Sequence, residues 1–218
     1  AVSAAYSVKD VSFSMGEPQP TLTRDNMMIL SIPFTVANRG FYNIGVLSVS
    51  TKISNQEGDV IAGNSTTLPV VAVGEQATLV HNVTINATDF LWRNQNCLFN
   101  DAIFNVNMSL GMTIAEVFPV QVSTNVSMPW GAPFYNFSLG QPEFAPFDAM
   151  HFLVAVPLSF ENHAFFNVSS AIRVQMYNSY GSLVGDSEIS ANASPHSSYN
   201  GFVQFHVQAS EMTNTERF

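Results

Sequence analysis

Apolar residues alternate with polar ones, or run unbroken, over strand-length stretches along most of the chain. Residues 28–37, 46–53, 60–62 and 78–85 are four such stretches, each bounded by Gly, Pro or Asn. Period-two alternation of that length predicts half-buried β-strands. Residues 101–112 and 117–128 read as two more, closed off by Pro129-Trp130-Gly131-Ala132-Pro133. Helical spacing is confined to 88–97. There Thr88 is placed to cap, Asp89 falls in the first turn, and Phe90, Leu91, Cys97 and Leu98 share one face.

The pattern then repeats. Phe13-Ser14-Met15-Gly16-Glu17-Pro18 is matched 124 residues later by Phe137-Ser138-Leu139-Gly140-Gln141-Pro142. At the same offset, Ile32-Pro33-Phe34-Thr35-Val36-Ala37-Asn38 faces Val156-Pro157-Leu158-Ser159-Phe160-Glu161-Asn162, and Phe41-Tyr42-Asn43-Ile44 faces Phe165-Phe166-Asn167-Val168. One residue is then lost, and Asn55-Gln56-Glu57-Gly58 meets Asn178-Ser179-Tyr180-Gly181 at offset 123. Blocks that hold one register over this distance mark a tandem duplication. Ser210-Glu211-Met212 echoes Thr88-Asp89-Phe90, where the second copy stops. Short strands at regular spacing, joined by Asn-x-x-Gly turns, predict an all-β protein of two tandem fibronectin/immunoglobulin-like β-sandwich domains with at most a short helix. The boundary is placed between 1–100 and 101–218, which groups strands 101–128 with the second copy, although the pattern by itself fits either copy.

Composition narrows the class. The chain has 218 residues, 46% hydrophobic and 11% charged, with a net charge of −9. That excludes a disordered chain. Two lysines, Lys9 and Lys52, are too few for a surface that neutralises phosphates, so nucleic acid is not an expected partner. No apolar run approaches the roughly 18 residues of a membrane helix. Cys97 is the one cysteine, which precludes an internal disulfide or a cysteine-rich metal site.

A surface so poor in charge needs another source of solubility. Asn-x-Ser/Thr occurs at Asn64, Asn82, Asn86, Asn107, Asn125, Asn136, Asn167 and Asn192. The chain's Asn, Ser and Thr content predicts roughly three such matches by chance. At Asn82, Asn86, Asn107, Asn125 and Asn136 the residues on either side are apolar or lie in phase with apolar ones, so the acceptor falls on the outer face of a strand. These positions predict a secreted, N-glycosylated protein of the cell surface, and Ala1-Val2-Ser3-Ala4-Ala5 reads as a mature end left by removal of a leader. The scarcity of cysteine points away from small disulfide-stapled modules and toward an archaeal surface.

The stretch from Ile32 to Gly63 carries a family resemblance. An apolar strand enters Ala37-Asn38-Arg39-Gly40-Phe41-Tyr42-Asn43-Ile44, and a second strand leads to Asn55-Gln56-Glu57-Gly58-Asp59-Val60-Ile61-Ala62-Gly63. This resembles the type 2 late-embryogenesis-abundant domain, also called the water-stress and hypersensitive-response domain, and residues 161–186 repeat it. Asn38-Arg39-Gly40 and Asn162-His163-Ala164 stand where that family usually has Asn-Pro-Asn. The resemblance implies fibronectin-like sandwiches in tandem and a non-enzymatic role, with no catalytic residues to carry over.

Candidate chemistry is sparse. His81, His151, His163, His196 and His206 show no His-x-His or His-Glu-x-x-His spacing. Asn55-Gln56-Glu57-Gly58-Asp59 has oxygen ligands for Ca²⁺ but lacks alternating carboxylates, and a hairpin turn is the preferred reading. Cys97 has no adjacent base and reads as a core residue. Glu143 and Asp148, five apart, are the thin basis of a glycosidase-like alternative. No catalytic, metal or cofactor site is expected.

Two non-catalytic roles remain. In the first, the chain is a structural subunit of a cell-surface filament or coat and assembles with copies of itself. Ala1, Val2, Ala4, Tyr6 and Val8 belong to an uncharged, strand-compatible segment that either inserts into a neighbouring molecule or pairs within its own domain. Head-to-tail insertion does not close, and it propagates as a filament. That arrangement is similar to the donor-strand assembly of archaeal cell-surface filament subunits, bundling pili among them. In the second role, the chain is a monomeric extracellular module that binds a lipid, glycan or partner protein through aromatic residues such as Trp92 and Trp130.

Overall fold

The structure, a computed structural model, describes residues 10–115 and 117–210. Among the described residues, fourteen strands and two short helices fall into two compact units, each an antiparallel β-sandwich. In unit 1 the strands β1 (Val11–Met15), β2 (Gln19–Leu22), β3 (Met27–Asn38) and β6 (Gln76–Asn86) form one sheet. β1 and β2 share one edge of β3, and β6 takes the other. The second sheet runs in the order β5 (Val60–Val71), β4 (Ile44–Ser54), β7 (Ala102–Ile114), β8 (Phe118–Trp130). β3 buries Met28, Leu30, Ile32 and Val36 on the face that meets Leu47, Val49 and Ile53 of β4 and the inward residues of β7. Full burial of each such side chain stabilises by roughly 1.5–3 kcal/mol, an upper figure because unfolded chains already hide some surface.

Unit 2 repeats part of this plan. β9 (Tyr135–Leu139), β10 (Glu143–Pro146), β11 (His151–Asn162) and β14 (Ser197–Gln208) form its first sheet, with β9 and β10 on one edge of β11. β12 (Val168–Tyr177) and β13 (Leu183–Ala193) form its second. β9, β10 and β11 begin and end 124 residues after β1, β2 and β3. The register slips to 123 within β4, where Val46 takes a left-handed φ of 41° and the pairing with β7 shifts between Gly45 and Ser48. Beyond that bulge the turns coincide again. Gly58 (φ 93°) and Gly181 (φ 78°) close the β4–β5 and β12–β13 hairpins, a conformation that glycine adopts at little cost.

One polar residue is buried at the same place in each unit. The Asn38 side-chain amide donates to the carbonyls of Tyr42 (3.0 Å) and Val71 (2.9 Å), and its oxygen accepts from the Gly40 N–H (3.1 Å). Asn162 donates to Phe166 (2.9 Å), Ala193 (3.1 Å) and Ser194 (3.0 Å) and accepts from the Ala164 N–H (3.0 Å). Both residues are fully buried. Each amide therefore ties the last residue of one sheet's central strand to the last strand position of the facing sheet.

Two sequence expectations are corrected. Strands 101–128 do not belong with the second copy, because β7 hydrogen-bonds along β4 from Ile44 to Ser54 and β8 pairs with β7 throughout. The boundary at 100/101 is replaced by a crossing in which residues up to Asn94 and Ala102–Trp130 make unit 1, while Gln95–Asp101 and the residues from Gly131 onward make unit 2. The single helix over 88–97 is in fact two pieces. α1 (Ala87–Arg93) is capped by Asn86, not Thr88, and the Asn86 side-chain Oδ1 accepts from the Asp89 N–H at 3.0 Å. α2 (Asn96–Phe99) lies in unit 2, so Phe90 and Cys97 are buried in different units.

Replacing Asn38 or Asn162 by alanine strands two or more buried carbonyls and an N–H group. Each variant is expected to lose about 3 kcal/mol of stability, read as a lower midpoint in urea unfolding. Asn→Asp at either position is expected to be no better, since a carboxylate supplies no donor.

Candidate functional site

All eight predicted glycan acceptors are exposed on the described surface. Asn82, Asn107 and Asn125 lie on strands with their side chains turned away from the buried row, as Val83 and Met108 beside them show by pointing inward. Asn86 caps α1 through its oxygen, which leaves the amide nitrogen, the atom a glycan would occupy, outside the cap. Asn136 sits at a bulge in the β9–β11 pairing with φ 51°, a conformation asparagine tolerates better than most residues. Asn107 and Asn125 are directly opposite each other across β7 and β8.

Residues 1–8, which carry the expected self-assembly positions Ala1, Val2, Ala4, Tyr6 and Val8, lie outside the described residues. The described edges nevertheless say where an added strand has room. In unit 1, β5 packs beside β6, whereas β1, β2 and β8 line the opposite, open side. Paired register puts Phe13 and Met15 of β1 on the inward face with Val36 and Phe34, yet they are 39% and 46% exposed. The inward row of β8 behaves alike: Phe118, Val122 and Val126 pair with Ile114, Leu110 and Val106 but remain exposed. In unit 2, β13 packs beside β14, and Leu139 of β9 and Phe144 of β10 are exposed on the open side.

The aromatic residues of the alternative binding reading divide between core and surface. Trp130 is buried, with its ring 5.2 Å from Phe90 and 5.9 Å from Phe104. Trp92 projects from α1 and is 77% exposed. A polar cleft of about 520 Å³ lies beside α1, lined by Asn55, Asp59, Asn86, Asp89, Arg93 and Asn94 among others. At its rim the Asn55–Asp59 segment is a hairpin turn. The Asn55 N–H donates to the Asp59 carbonyl (3.0 Å), and the Asn55 side-chain amide donates to the Asp59 carboxylate at 3.2 Å. Among the described residues no group of three or more His, Cys, Asp or Glu side chains is placed to hold a metal ion. No helix among them is long and apolar enough to cross a membrane.

The structure places the other sequence candidates as follows. The Asp148 carboxylate accepts from the Met150 and His151 N–H groups (2.7 and 2.8 Å) and from the His151 ring (2.9 Å), which holds its pKa below the ordinary value and builds the turn before β11. Glu143 is exposed on β10. Cys97 is buried, and burial pushes its thiol pKa up, away from nucleophilic use. His81 is fully buried against Thr66 (2.7 Å), and burial lowers its pKa toward the neutral form.

One cluster escapes sequence reasoning, because its members are up to 62 residues apart. The His163 ring bonds Asp101 at 2.8 Å through Nδ1 and Glu161 at 3.2 Å through Nε2, and it stacks on Tyr135 with ring centres 4.2 Å apart. Asp101 also accepts from the Ala132 N–H (2.8 Å), and the His163 N–H donates to the Ala132 carbonyl (2.9 Å). Gly131 is required here, since a Cβ would collide with the His163 carbonyl group. The cluster fastens the Gln95–Asp101 segment to the end of β11 within unit 2. Phe99 reinforces it against Phe134 and Phe137.

The Asp101 hydrogen bond, aided by Glu161, raises the His163 pKa above its usual 6.5. For Asp101, partial burial favours the neutral acid, but the Ala132 N–H and His163 outweigh it and bring the pKa below 3.8. Glu161 is held below 4.5 by His163 and then Asn136.

Neither a protein family nor a curated protein matches the chain. Solved structures that it is similar to include the putative ApaA protein from Bordetella pertussis, at 14% identity and TM-score 0.37 over 57% of this chain and 94% of that one. Red sea bream transglutaminase is similar at 10% identity and TM-score 0.38, over 91% of this chain and 27% of the enzyme. A β-glucuronidase of glycoside hydrolase family 2 is similar at 10% identity and TM-score 0.33, over 65% and 12%. At these scores the likenesses carry no argument about activity.

The titrating cluster sets a pH dependence. A raised histidine pKa contributes stability that is complete below 6.5 and is lost as pH rises through the folded value. Lowered carboxylate pKa values contribute stability that is complete above 3.8 and 4.5 and is lost as pH falls through theirs. Unit 2 is therefore expected to gain most from the cluster between 4.5 and 6.5 and to weaken on the alkaline side. Urea midpoints measured from about pH 5 to pH 9 check this, and His163→Gln should flatten the alkaline decline.

Proposed function

We propose that the chain is a secreted, N-glycosylated structural subunit of a cell-surface filament or coat, and that copies join head-to-tail by β-strand donation. The observation that carries this reading is the pair of open sandwich sides, where residues of the inward rows (Phe13, Met15, Phe118, Val122 and Leu139) are left exposed. Sheet edges bordered by uncovered apolar rows favour pairing with a further strand. The eight exposed sequons suit a surface that meets water through sugar where charge is scarce. The duplicated Asn38 and Asn162 turns and the two-layer units support reading the chain as two domains of the type 2 late-embryogenesis-abundant kind.

Glycosylation is tested by mass spectrometry of native material, with sugar expected on the exposed sequons. Asn107 and Asn125 face each other at the roughly 5 Å of a cross-strand pair, too close for two core saccharides to lie side by side. Single occupancy of that pair is the expected outcome.

Assembly is tested by electron microscopy of native material. Filaments are expected from the intact chain and none after deletion of residues 1–8, with circular dichroism unchanged. Uniform single particles from the intact chain would leave the monomeric binding module as the better reading.

A further inference from the structure

We infer that the seam between β5 and β6 of unit 1 is an acid-sensitive latch, which His81 holds shut while neutral and releases when it takes a proton. His81 stands in the inward row of β6 with Leu79 and Val83 and is fully buried. Its Nδ1 shares a 2.7 Å hydrogen bond with the Thr66 hydroxyl of β5, a tie from one sheet to the other. A second tie joins the same strands, where the Asn64 side-chain amide donates to the Asn82 carbonyl at 2.6 Å. Among the described residues, His81 Nε2 and the buried Thr51 hydroxyl of β4 have no hydrogen-bond partner.

The duplicated unit supplies the contrast. Ile32 pairs with His81 as Val156 pairs with Val203. The 123-residue offset of the Asn55 and Asn178 turns places Val174 at the position of Thr51 and Ile189 at that of Thr66. Unit 2 is therefore apolar at all three positions where unit 1 is polar. A sandwich on this plan closes without a buried histidine, so the polar set is a property added to unit 1 and not a requirement of the fold.

The strands around His81 offer no carboxylate to a protonated ring. β1 to β8 contain neither Asp nor Glu, and Lys52, exposed on β4, is their one other ionisable side chain. Glu57, Asp59, Glu75 and Asp89, with Arg93, are exposed in the flanking turns and on α1. In the neutral ring, Nδ1 and the Thr66 hydroxyl satisfy each other whichever donates. An imidazolium must donate from both nitrogens, and a buried charge left unpaired is costly. Relief comes when water reaches the ring, and β5 is the strand that yields most readily. Val71 is the one fully buried residue among its described side chains, whereas β4 buries Ile44, Leu47, Val49, Thr51 and Ile53. Burial lowers the His81 pKa below 6.5, so as pH falls the unfolded chain takes the proton first. The stability that neutral His81 gives is complete above 6.5 and declines below it, opposite in sign to that of His163.

The test reads unit 1 in the full chain, because both tryptophans, Trp92 and Trp130, belong to that unit. From about pH 7 to pH 5, the unfolding constant from tryptophan fluorescence in urea is expected to rise by up to about tenfold per pH unit, the limit for one proton. His81→Val, which copies Val203, and His81→Gln, which keeps a polar group facing Thr66, should each remove the rise. Using both guards against one of them folding poorly. Hydrogen exchange, corrected for its intrinsic pH dependence, should show β5 and β6 losing protection at the lower pH while β7 keeps it. A flat constant in the unsubstituted chain, or a rise that both variants retain, would overturn the role of His81. Protection lost evenly from β3 to β8 would overturn the latch, since acid would then be unfolding the unit as a whole.

Discussion

A buried side-chain amide closes each sandwich, and the position of everything after it follows from that closure. At Asn38 and Asn162 the chain leaves the central strand of one sheet and arches toward the other, so backbone carbonyls depart from their ladder away from water. Each asparagine meets this need with two N–H donors and one acceptor, a set that neither aspartate nor an apolar residue supplies. Because the acceptors include Val71 and Ala193 on the facing sheets, the same bonds fix how the two layers meet at that end. A change of register in β4 or β5 would move Val71 away from its donor. The bulge at Val46 is tolerated because it sits between two fixed points, the Asn38 arch and the Asn55–Gly58 turn.

Much of the fold was legible in the sequence because the chain states it twice. Blocks such as Ile32–Asn38 and Val156–Asn162 hold a single offset over the whole of β3 and β11, and the structure keeps that offset to the residue at both ends. The slip from 124 to 123 is visible in sequence, but only the backbone locates it at the β4 bulge. Partnership was the illegible part. β7 and β8 alternate as any half-buried strands do, and nothing in their periodicity says whether β4 or β12 is the neighbour. The choice is made by side-chain packing between residues some 60 positions apart, such as Ser48 and Gly111, and no local pattern records it.

The candidate sites were legible to different degrees for the same reason. Sequons are local, and their exposure follows from strand phase, so Asn82, Asn107 and Asn125 could be placed on outer faces from alternation alone. The Asp101–His163 contact is not local. Asp101 was read as the first residue of a strand in the second copy; it instead ends the short segment that unit 2 takes from between α1 and β7. That segment has little regular structure of its own, four residues of helix in all. It is held by a charged hydrogen bond, an aromatic cluster around Phe99 and a glycine contact at Gly131, none of which has a sequence signature.

The two units are built on one plan, and among the described residues their second sheets differ in strand number, four in unit 1 and two in unit 2. A strand paired on both sides, as β4 is, has its N–H and C=O groups satisfied and its inward row fully dry. Among the described residues β12, with the same turn chemistry and the same arch, pairs with β13 alone, and its inward side chains are partly buried. Two-stranded sheets of this kind are marginal without a third strand or a covering layer. The β11 sheet supplies the layer through Val154, Val156, Leu158 and Phe160. The arch at Asn162 fixes that layer against β13, since its amide donates to the Ala193 carbonyl at the end of that strand.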